Sequence, residues 1–570
     1  MKTHGLRRGV AAVGALFTAL ALSLGATTAA QADTTTVTPV ITEQTGNLHI
    51  TKYDTTNAGP SAESTGIKAG ETGGPAVPSG AELISGVTFS VQKLTDIDLT
   101  TNAGWTAAAA ISLDANGDVS TNTNLGTASY GTTDSTGVPK VSTVAGVVET
   151  GATNAFQNLE VGVYYVKETI TPAGVTPSAP FLVTIPITDP TNQNNWLYDV
   201  YVYPKNSDIR DVVKTVDDAA PYDATSQTQA ITYTITTDVP RNPGTTSGTF
   251  VDPTGFKVTD TLPTGVTPDE VTAAVTSQTF TECTGSGTPE NCDYTVAINS
   301  QLVTVTVTDA GLETLGDAAA TADAKVTVTI TATVAGTIAS TLGTEIAGLS
   351  NTATVYPDAD SITNSSGKTS EAVLTKWGSF SFTKQNSDGT GLAGAEFKIA
   401  LSKADAQAGT FIRSAAVTST DNGTVTITGL RASDFANGAS QSLGAKTSDQ
   451  ETTYTQLNDN YIVYWLTETK APTGYELLAE PIPVALLSDG TVKQIAQDAN
   501  GALQYDASTG VATYVGTDNF TSITNVEKNA GFTLPLTGGS GTAALTIGGI
   551  AILAAVLVVA RRRRAYEATV

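Results

Sequence analysis

Threonine alternates with valine or isoleucine along much of this chain. The runs 230–237 (AITYTITT), 302–308 (LVTVTVT) and 324–333 (AKVTVTITAT) are the clearest. Successive side chains of a strand point to opposite faces, so this period of two puts branched apolar groups on one side and hydroxyls on the other. It predicts half-buried antiparallel strands. Clusters of Gly, Pro, Asn and Asp interrupt the runs at short intervals, and no stretch carries a convincing amphipathic helical stripe. The expected class is all-β, with tandem Ig-like sandwiches strung in a row.

Two longer apolar runs break the pattern, one at each end. Lys2, Arg7 and Arg8 precede an apolar stretch from Val10 to about Ala26, then Ala30-Gln31-Ala32. That order is a secretory signal with a small-residue cleavage site, so residues 1–32 are expected to be removed and Asp33 to begin the mature chain. Near the other end, the apolar stretch from Gly541 to Ala560 is long enough to cross a bilayer as a helix. Arg561, Arg562, Arg563 and Arg564 follow it and fit a cytoplasmic stop. What lies between the two ends, at the usual domain size, makes roughly three domains.

Charge and inventory narrow the function. The sequence holds 29 Lys and Arg against 54 Asp and Glu, a net charge of −25. The terminal segments carry seven of those cations and only one acid, Glu567, so the mature part is more acidic still. Such a surface repels nucleic acid and anionic lipid, and suits solubility in an exposed extracellular setting. Only two cysteines exist, Cys283 and Cys292. In a secreted chain this pair is expected to form one disulfide across a hairpin loop. No histidine or third cysteine stands near them, so a metal centre is not expected. His49 is the one histidine left after processing, which removes histidine-based catalysis and zinc chemistry by inventory. With no Gly-x-Ser-x-Gly and few aromatics to line a cleft, neither an enzyme nor a cofactor is expected. A calcium site in the loop Asp189 to Asn195 has no supporting ligand spacing.

The chain repeats itself once. Residues 164–174 (YYVKETITPAG) match 464–474 (YWLTETKAPTG), and upstream Gly86-Val87-Thr88-Phe89 matches Gly394-Ala395-Glu396-Phe397. The first and third domains are therefore expected to be homologous and the middle one of another type. The expected limits are 33–206, 207–368 and 369–528, with 529–570 as linker and C-terminal signal. The first domain carries an insertion rich in Gly, Pro, Ser and Thr, from about 55 to 80, expected to be a mobile loop.

These segments together resemble a known family. Leu534-Pro535-Leu536-Thr537-Gly538, followed by the apolar span and the four arginines, resembles the cell-wall sorting signal of Gram-positive surface proteins. Residues 196–205 (WLYDVYVYPK) resemble the pilin motif of sortase-assembled pili, and the segment around Glu468 resembles their E-box. The three-domain order is similar to the major shaft pilins of actinobacterial fimbriae. The resemblance implies that a sortase cysteine attacks the Thr537 carbonyl and releases Gly538 onward, through an acyl-enzyme. The amine of Lys205 on another copy then takes the acyl group. Implied partners are sortase, further copies of the chain head to tail, accessory pilins, peptidoglycan at the base and a receptor the sequence does not name. The implied location is the cell surface, in covalent attachment to the wall.

The same resemblance implies internal lysine–asparagine isopeptide bonds assisted by a buried acid. That chemistry needs a lysine stripped of its proton by burial and an acid placed on the asparagine amide. In the third domain the expected set is Lys384 (in SFSFTK), Asn525 (in TSITNV) and Glu468. In the middle domain it is Lys214, Asn351 and Asp260, of a CnaA-like type; the outer domains are CnaB-like. In the first domain Lys52, Glu168 and Asn206 complete a set by residue type, although Val175 stands where the third domain has Tyr475. A competing function is an adhesin anchored singly to the wall, which would need no acceptor at Lys205.

Overall fold

The computed structural model describes residues 41–528, apart from 56–62, 115–116, 121–122, 210, 220–221, 224–227, 244–249, 285–291, 322, 335–346 and 446–455. The expected signal peptide, Leu534, Pro535, Thr537, Gly538, the apolar span and the arginine tail lie outside the described residues. Among the described residues no helix is long and apolar enough to cross a membrane.

Three sets of β-sheets follow one another, each around its own apolar core. In the first, β1 (Thr45–Ile50) lies parallel to β7 (Asp199–Val202), and β2 (Tyr53–Asp54) parallel to β8 (Lys205–Asp208). Facing them is the antiparallel order β6 (Phe181–Ile185), β5 (Gly162–Ile170), β3 (Thr88–Lys93), β4 (Ser129–Thr133). Leu48, Ile50, Phe89, Val166, Val183, Val200 and Val202 fill the space between. The helix α1 (Asn102–Ala110) covers part of the outer side, where Trp105 stacks on Trp196 at 5.2 Å between centroids. Its sequence, NAGWTAAAA, has no apolar stripe, which is why the pattern hid it. It is started by the Thr101 hydroxyl, which caps the Gly104 N–H, and sustained by alanine.

The middle set holds the long alternating runs. β9 (Val212–Asp217) pairs with β10 (Thr228–Asp238), β10 with β14 (Lys325–Val334), and β14 with β12 (Val266–Val275). Against this sheet stands another in which β11 (Lys257–Thr261) is flanked by β13 (Leu302–Val307) and β16 (Ala353–Tyr356). The period of two is realised on β14, where Val326, Val328, Ile330, Ala332 and Val334 are buried and the intervening residues are not. Each buried Val or Ile contributes about 1.5–3 kcal/mol, and the threonines between them face solvent. A second helix, α2 (Asp309–Ala318), connects β13 to β14 and seats Leu315 in the core.

The strand β15 (Ala347–Asn351), whose Leu349 stays in this core, pairs with the first residues of β17 (Val373–Gln385). β17 is thirteen residues long and belongs to two cores. Trp377 is packed with the middle set, Phe380 and Phe382 with the last. In that last set β17 pairs antiparallel with β19 (Thr424–Arg431) and parallel with β22 (Ser522–Thr524). β18 (Glu396–Ala400), β20 (Tyr464–Lys470) and β21 (Ile482–Leu486) form the opposing layer. The two sets also meet at Asp218 and Asn437. The Asn437 N–H donates to Asp218 Oδ1 at 2.8 Å, and the Asp218 N–H to Asn437 Oδ1 at 3.2 Å.

Candidate functional site

Lys384, Asn525 and Glu468 are brought together in the last set. β17 and β22 run parallel with Lys384 opposite Ile523, and the Asn525 N–H donates to the Gln385 carbonyl at 2.9 Å. This register sends the Lys384 and Asn525 side chains into the same interior. Lys384 Nζ touches Asn525 Oδ1 and lies 3.4 Å from Glu468 Oε1. Asn525 Nδ2 donates to both Glu468 oxygens, at 2.9 and 3.1 Å, and to the Glu476 carbonyl at 2.9 Å. The Leu478 N–H holds Glu468 Oε2 at 2.9 Å. Lysine and glutamate side chains are both fully enclosed. Burial pushes the Lys384 amine down to about 8, against the pull of Glu468. A lysine facing a carbonyl whose amide nitrogen is gripped by an acid is arranged for attack at Asn525 Cγ.

In the middle set Lys214 lies on β9 and Asp260 on β11, so the pair bridges the two layers in direct contact. Burial lowers the Lys214 amine and raises the Asp260 carboxyl. Asn351, at the end of β15, is buried beside them. Its amide is near enough to Asp260 and Tyr233 to affect their protonation, yet neither amide atom meets a partner at hydrogen-bonding geometry. A buried amide left so costs a few kcal/mol unless it is consumed. Tyr233, whose ring lies 4.7 Å from Lys214 Nζ, is a member of this site that no motif revealed.

The first set gathers Lys52, Glu168 and Asn206. Lys52 is wholly buried, and burial brings its amine to about 8. Here the lysine pairs with the acid: Nζ to Glu168 Oε1 is 2.5 Å. Asn206 Nδ2 donates to Glu168 Oε2 at 2.8 Å, while Asn206 Oδ1 has no hydrogen-bond partner. A residue outside the expected set, Ser178, donates to Glu168 Oε1 at 2.5 Å and accepts from Lys52 at 3.3 Å.

Lys205 immediately precedes Asn206 and begins β8 opposite Tyr53. Successive residues face opposite sides, so Asn206 enters the core and Lys205 sits half-buried on the other face. Burial lowers its amine, and Glu63 pulls the other way. The insertion after Lys52 is expected to be mobile, but its described part is tied to the pilin strand. Tyr201 N donates to the Gly66 carbonyl at 3.0 Å, Tyr203 N to Ser64 Oγ at 2.9 Å, and Ala69 N to the Tyr203 hydroxyl at 2.6 Å. Glycines at positive φ, Gly66, Gly70 and Gly73, let this segment turn back tightly enough to reach it.

Cys283 and Cys292 are disulfide-bonded. In the loop from Asp189 to Asn195, the Asp189 carboxylate is taken up by Thr191 and Asn192 of its own turn. Among the described residues no group of three or more His, Cys, Asp or Glu could hold a metal.

Residues 28–207 match the model of the Gram-positive pilin subunit D1, N-terminal domain. Residues 378–436 and 435–500 match a prealbumin-like fold domain, and 526–565 the LPXTG cell wall anchor motif. Fimbrial subunit type 1 of Actinomyces viscosus is 30% identical over 544 residues, covering 88% of this chain and 89% of the relative. The chain belongs to the fimbrial subunits of Gram-positive bacteria. This fimbrial subunit is also 28% identical to fimbrial subunit type 2 of Actinomyces naeslundii, over 96% of this chain and 94% of that one. Its fold is similar to that of the major pilin SpaA of Corynebacterium diphtheriae, at 21% identity and a TM-score of 0.50, over 84% of this chain and 99% of that one. The fimbrial subunit is thus a structural, wall-attached surface protein of tandem Ig-like sandwiches.

Proposed function

We propose that this chain is the repeating shaft subunit of a covalent fimbria, joined by sortase through Thr537 of one copy and Lys205 of the next. The observation that carries this is the placement of Lys205. It is a half-buried amine of lowered proton affinity, at the start of a strand of its own, in a chain that ends in a sorting signal. On this reading the chain divides into units at about 33–206, 207–368 and 369–528. Accessory pilins complete the fibre and its base is joined to peptidoglycan.

Two of the buried sets act as internal staples in this proposal. Lys384 Nζ attacks Asn525 Cγ, and Lys214 attacks Asn351. In each, the new amide forms as the Cγ–Nδ2 bond breaks. Nδ2 leaves as ammonia, with the acid handing on the proton that the lysine gives up. The staple supports the fibre because Lys384 and Asn525 sit on neighbouring strands at the two ends of their unit. For the SpaA pilin, stabilising isopeptide bonds have been described.

Replacing Lys205 by alanine is expected to abolish the high-mass ladder of surface fibres on denaturing gels while monomer remains on the wall. An unchanged ladder would sink the shaft assignment and leave a singly anchored adhesin.

A further inference from the structure

The likeness of the first and last units extends to the end of each, past the matching sequences. In the first unit the Ile209 N–H donates to the Gly174 carbonyl at 3.1 Å, and Asp208 pairs with Val175. In the last unit the Lys528 N–H donates to the Gly474 carbonyl at 2.8 Å, and Glu527 pairs with Tyr475. Ser207, Asp208 and Ile209 follow the buried Asn206 as Val526, Glu527 and Lys528 follow the buried Asn525. The two sets of three are therefore counterparts.

Their surroundings differ. In the first unit this end seats the middle unit. Ile209 is buried in the middle core, Ser207 Oγ donates to Asn242 Oδ1 at 2.7 Å, and Lys368 Nζ lies 3.2 Å from Asp208. A methyl group added to Gly174 would stand 2.6 Å from Lys368 Cδ and 3.1 Å from Ile209 Cγ1. One added to Gly474 would meet nothing within 4 Å among the described residues. Val526 is 67% exposed, where its counterpart Ser207 is buried. Leu477 stands beside it, 53% exposed, held there as the Glu476 N–H donates to the Val526 carbonyl at 2.9 Å. The last unit thus repeats a surface built to seat a neighbour, with apolar side chains turned outward on it.

We propose that this end of the last unit seats the first unit of the next copy in the fibre, Leu477 and Val526 of one copy resting on Leu83 of the next. The inference rests on the reading above that Thr537 of one copy is joined to Lys205 of another. Residues 529–537 separate this surface from the joined atom, and nine residues span at most about 32 Å. Only the neighbourhood of Lys205 is within that reach. Leu83 belongs to it: Leu83 lies opposite Tyr53, and Tyr53 opposite Lys205, so the three share one face with Leu83 two strands away, roughly 10 Å. Leu83 is 47% exposed. The charges agree as well, since Lys528 and Glu82 are both exposed next to these apolar residues. The seat is a few side chains wide, so it yields before the strands of β17 do.

A joined pair of copies tests this. A 15N-labelled Lys205→Ala chain and an unlabelled Thr537→Ala chain can be linked by sortase in one order only, and hydrogen exchange then reads each copy separately. Amides at 474–477 and 526–528 of the labelled copy, and at 82–84 of the other, should exchange slower in the pair than in the monomers by roughly tenfold or more. Leu477→Asp in the first copy, or Leu83→Asp in the second, should abolish the slowing while the linked pair still runs as one band and each monomer melts as before. Exchange no slower in the pair overturns the proposal, and so does slowing that survives Leu477→Asp. Exchange already slow in the monomer overturns it too, because the chain's own residues 529–537 would then cover this end. If sortase joins no Thr537 to Lys205, the shaft reading itself has failed, and this inference falls with it.

Discussion

A lysine is ordinarily the most reluctant of side chains to enter a core, and among its described residues this chain buries three beside acids. What makes each tolerable is a partner within reach, and what lowers the proton affinity of each is the water it has lost. The effect is measurable where the bond is prevented. Asn525→Ala leaves Lys384 buried with its amine near 8, whereas an unfolded lysine titrates near 10.5. Between those values the unfolded chain binds more protons than the folded one, so stability of this variant should rise as pH climbs from about 8 to 10. Below that window both states are protonated and the penalty stays constant. Thermal melts at pH 7, 8, 9 and 10 check this; a midpoint that is flat or falling across the window would contradict it. The parent, with its amine turned into an amide as proposed, should show no such rise from this site. The family resemblance was enough to single out Lys384, Glu468 and Asn525, because each lies in or directly after a strand with a recognisable neighbourhood. Ser178 and Tyr233 were not legible, since serine and tyrosine in such surroundings carry no signal until the fold sets them against an acid or an amine.

At the scale of elements, the alternation of threonine with valine and isoleucine translates directly into β10, β13 and β14. A period of two leaves one choice of face once a core exists. Less legible were α1, built of alanines with no stripe, and the tie between residues 64–69 and the pilin strand, which depends on glycine turns rather than on pattern. The strand β17 was visible only in its second half, SFSFTK. Its first half showed no such alternation, and the residues it packs against belong to the preceding core. That difference can be tested. Trp377→Ala should cost about 3–5 kcal/mol, and the loss should appear in the middle unit, where Trp377 is packed. Hydrogen exchange should show protection lost on β10 and β14 more than on β20 and β21. Equal loss in both units, or loss only in the last, would refute the division of β17 between two cores. The disulfide is a smaller and separate contribution. Replacing Cys283 and Cys292 by serine should lower the stability of the middle unit by about 2–3 kcal/mol, measurable in denaturant.

For the whole molecule, the expected load path runs from Lys205 to Thr537. Lys384 and Asn525 are separated by 141 residues along the chain. If they are joined, the residues between them cannot extend under force. If they are not, that segment can lengthen by at most about 3.3–3.6 Å per residue, on the order of 480 Å before the folded length is subtracted. Pulling single molecules from residue 205 to the C-terminus should show no such step in the parent and one in Asn525→Ala. A step of that size in the parent would remove the staple from the account. The strand that belongs to two cores has its own bearing on the fibre. Rotating the last sandwich against the middle one would strip backbone hydrogen bonds from both, on either side of Gly378. The joint before it is held instead by exchangeable polar contacts, Lys368 with Asp208 at 3.2 Å and Ser207 with Asn242 at 2.7 Å. Curvature in a filament of these subunits therefore gathers at that polar joint and at the seams between copies. Such a filament flexes as a chain of long stiff links, not as a uniformly supple thread.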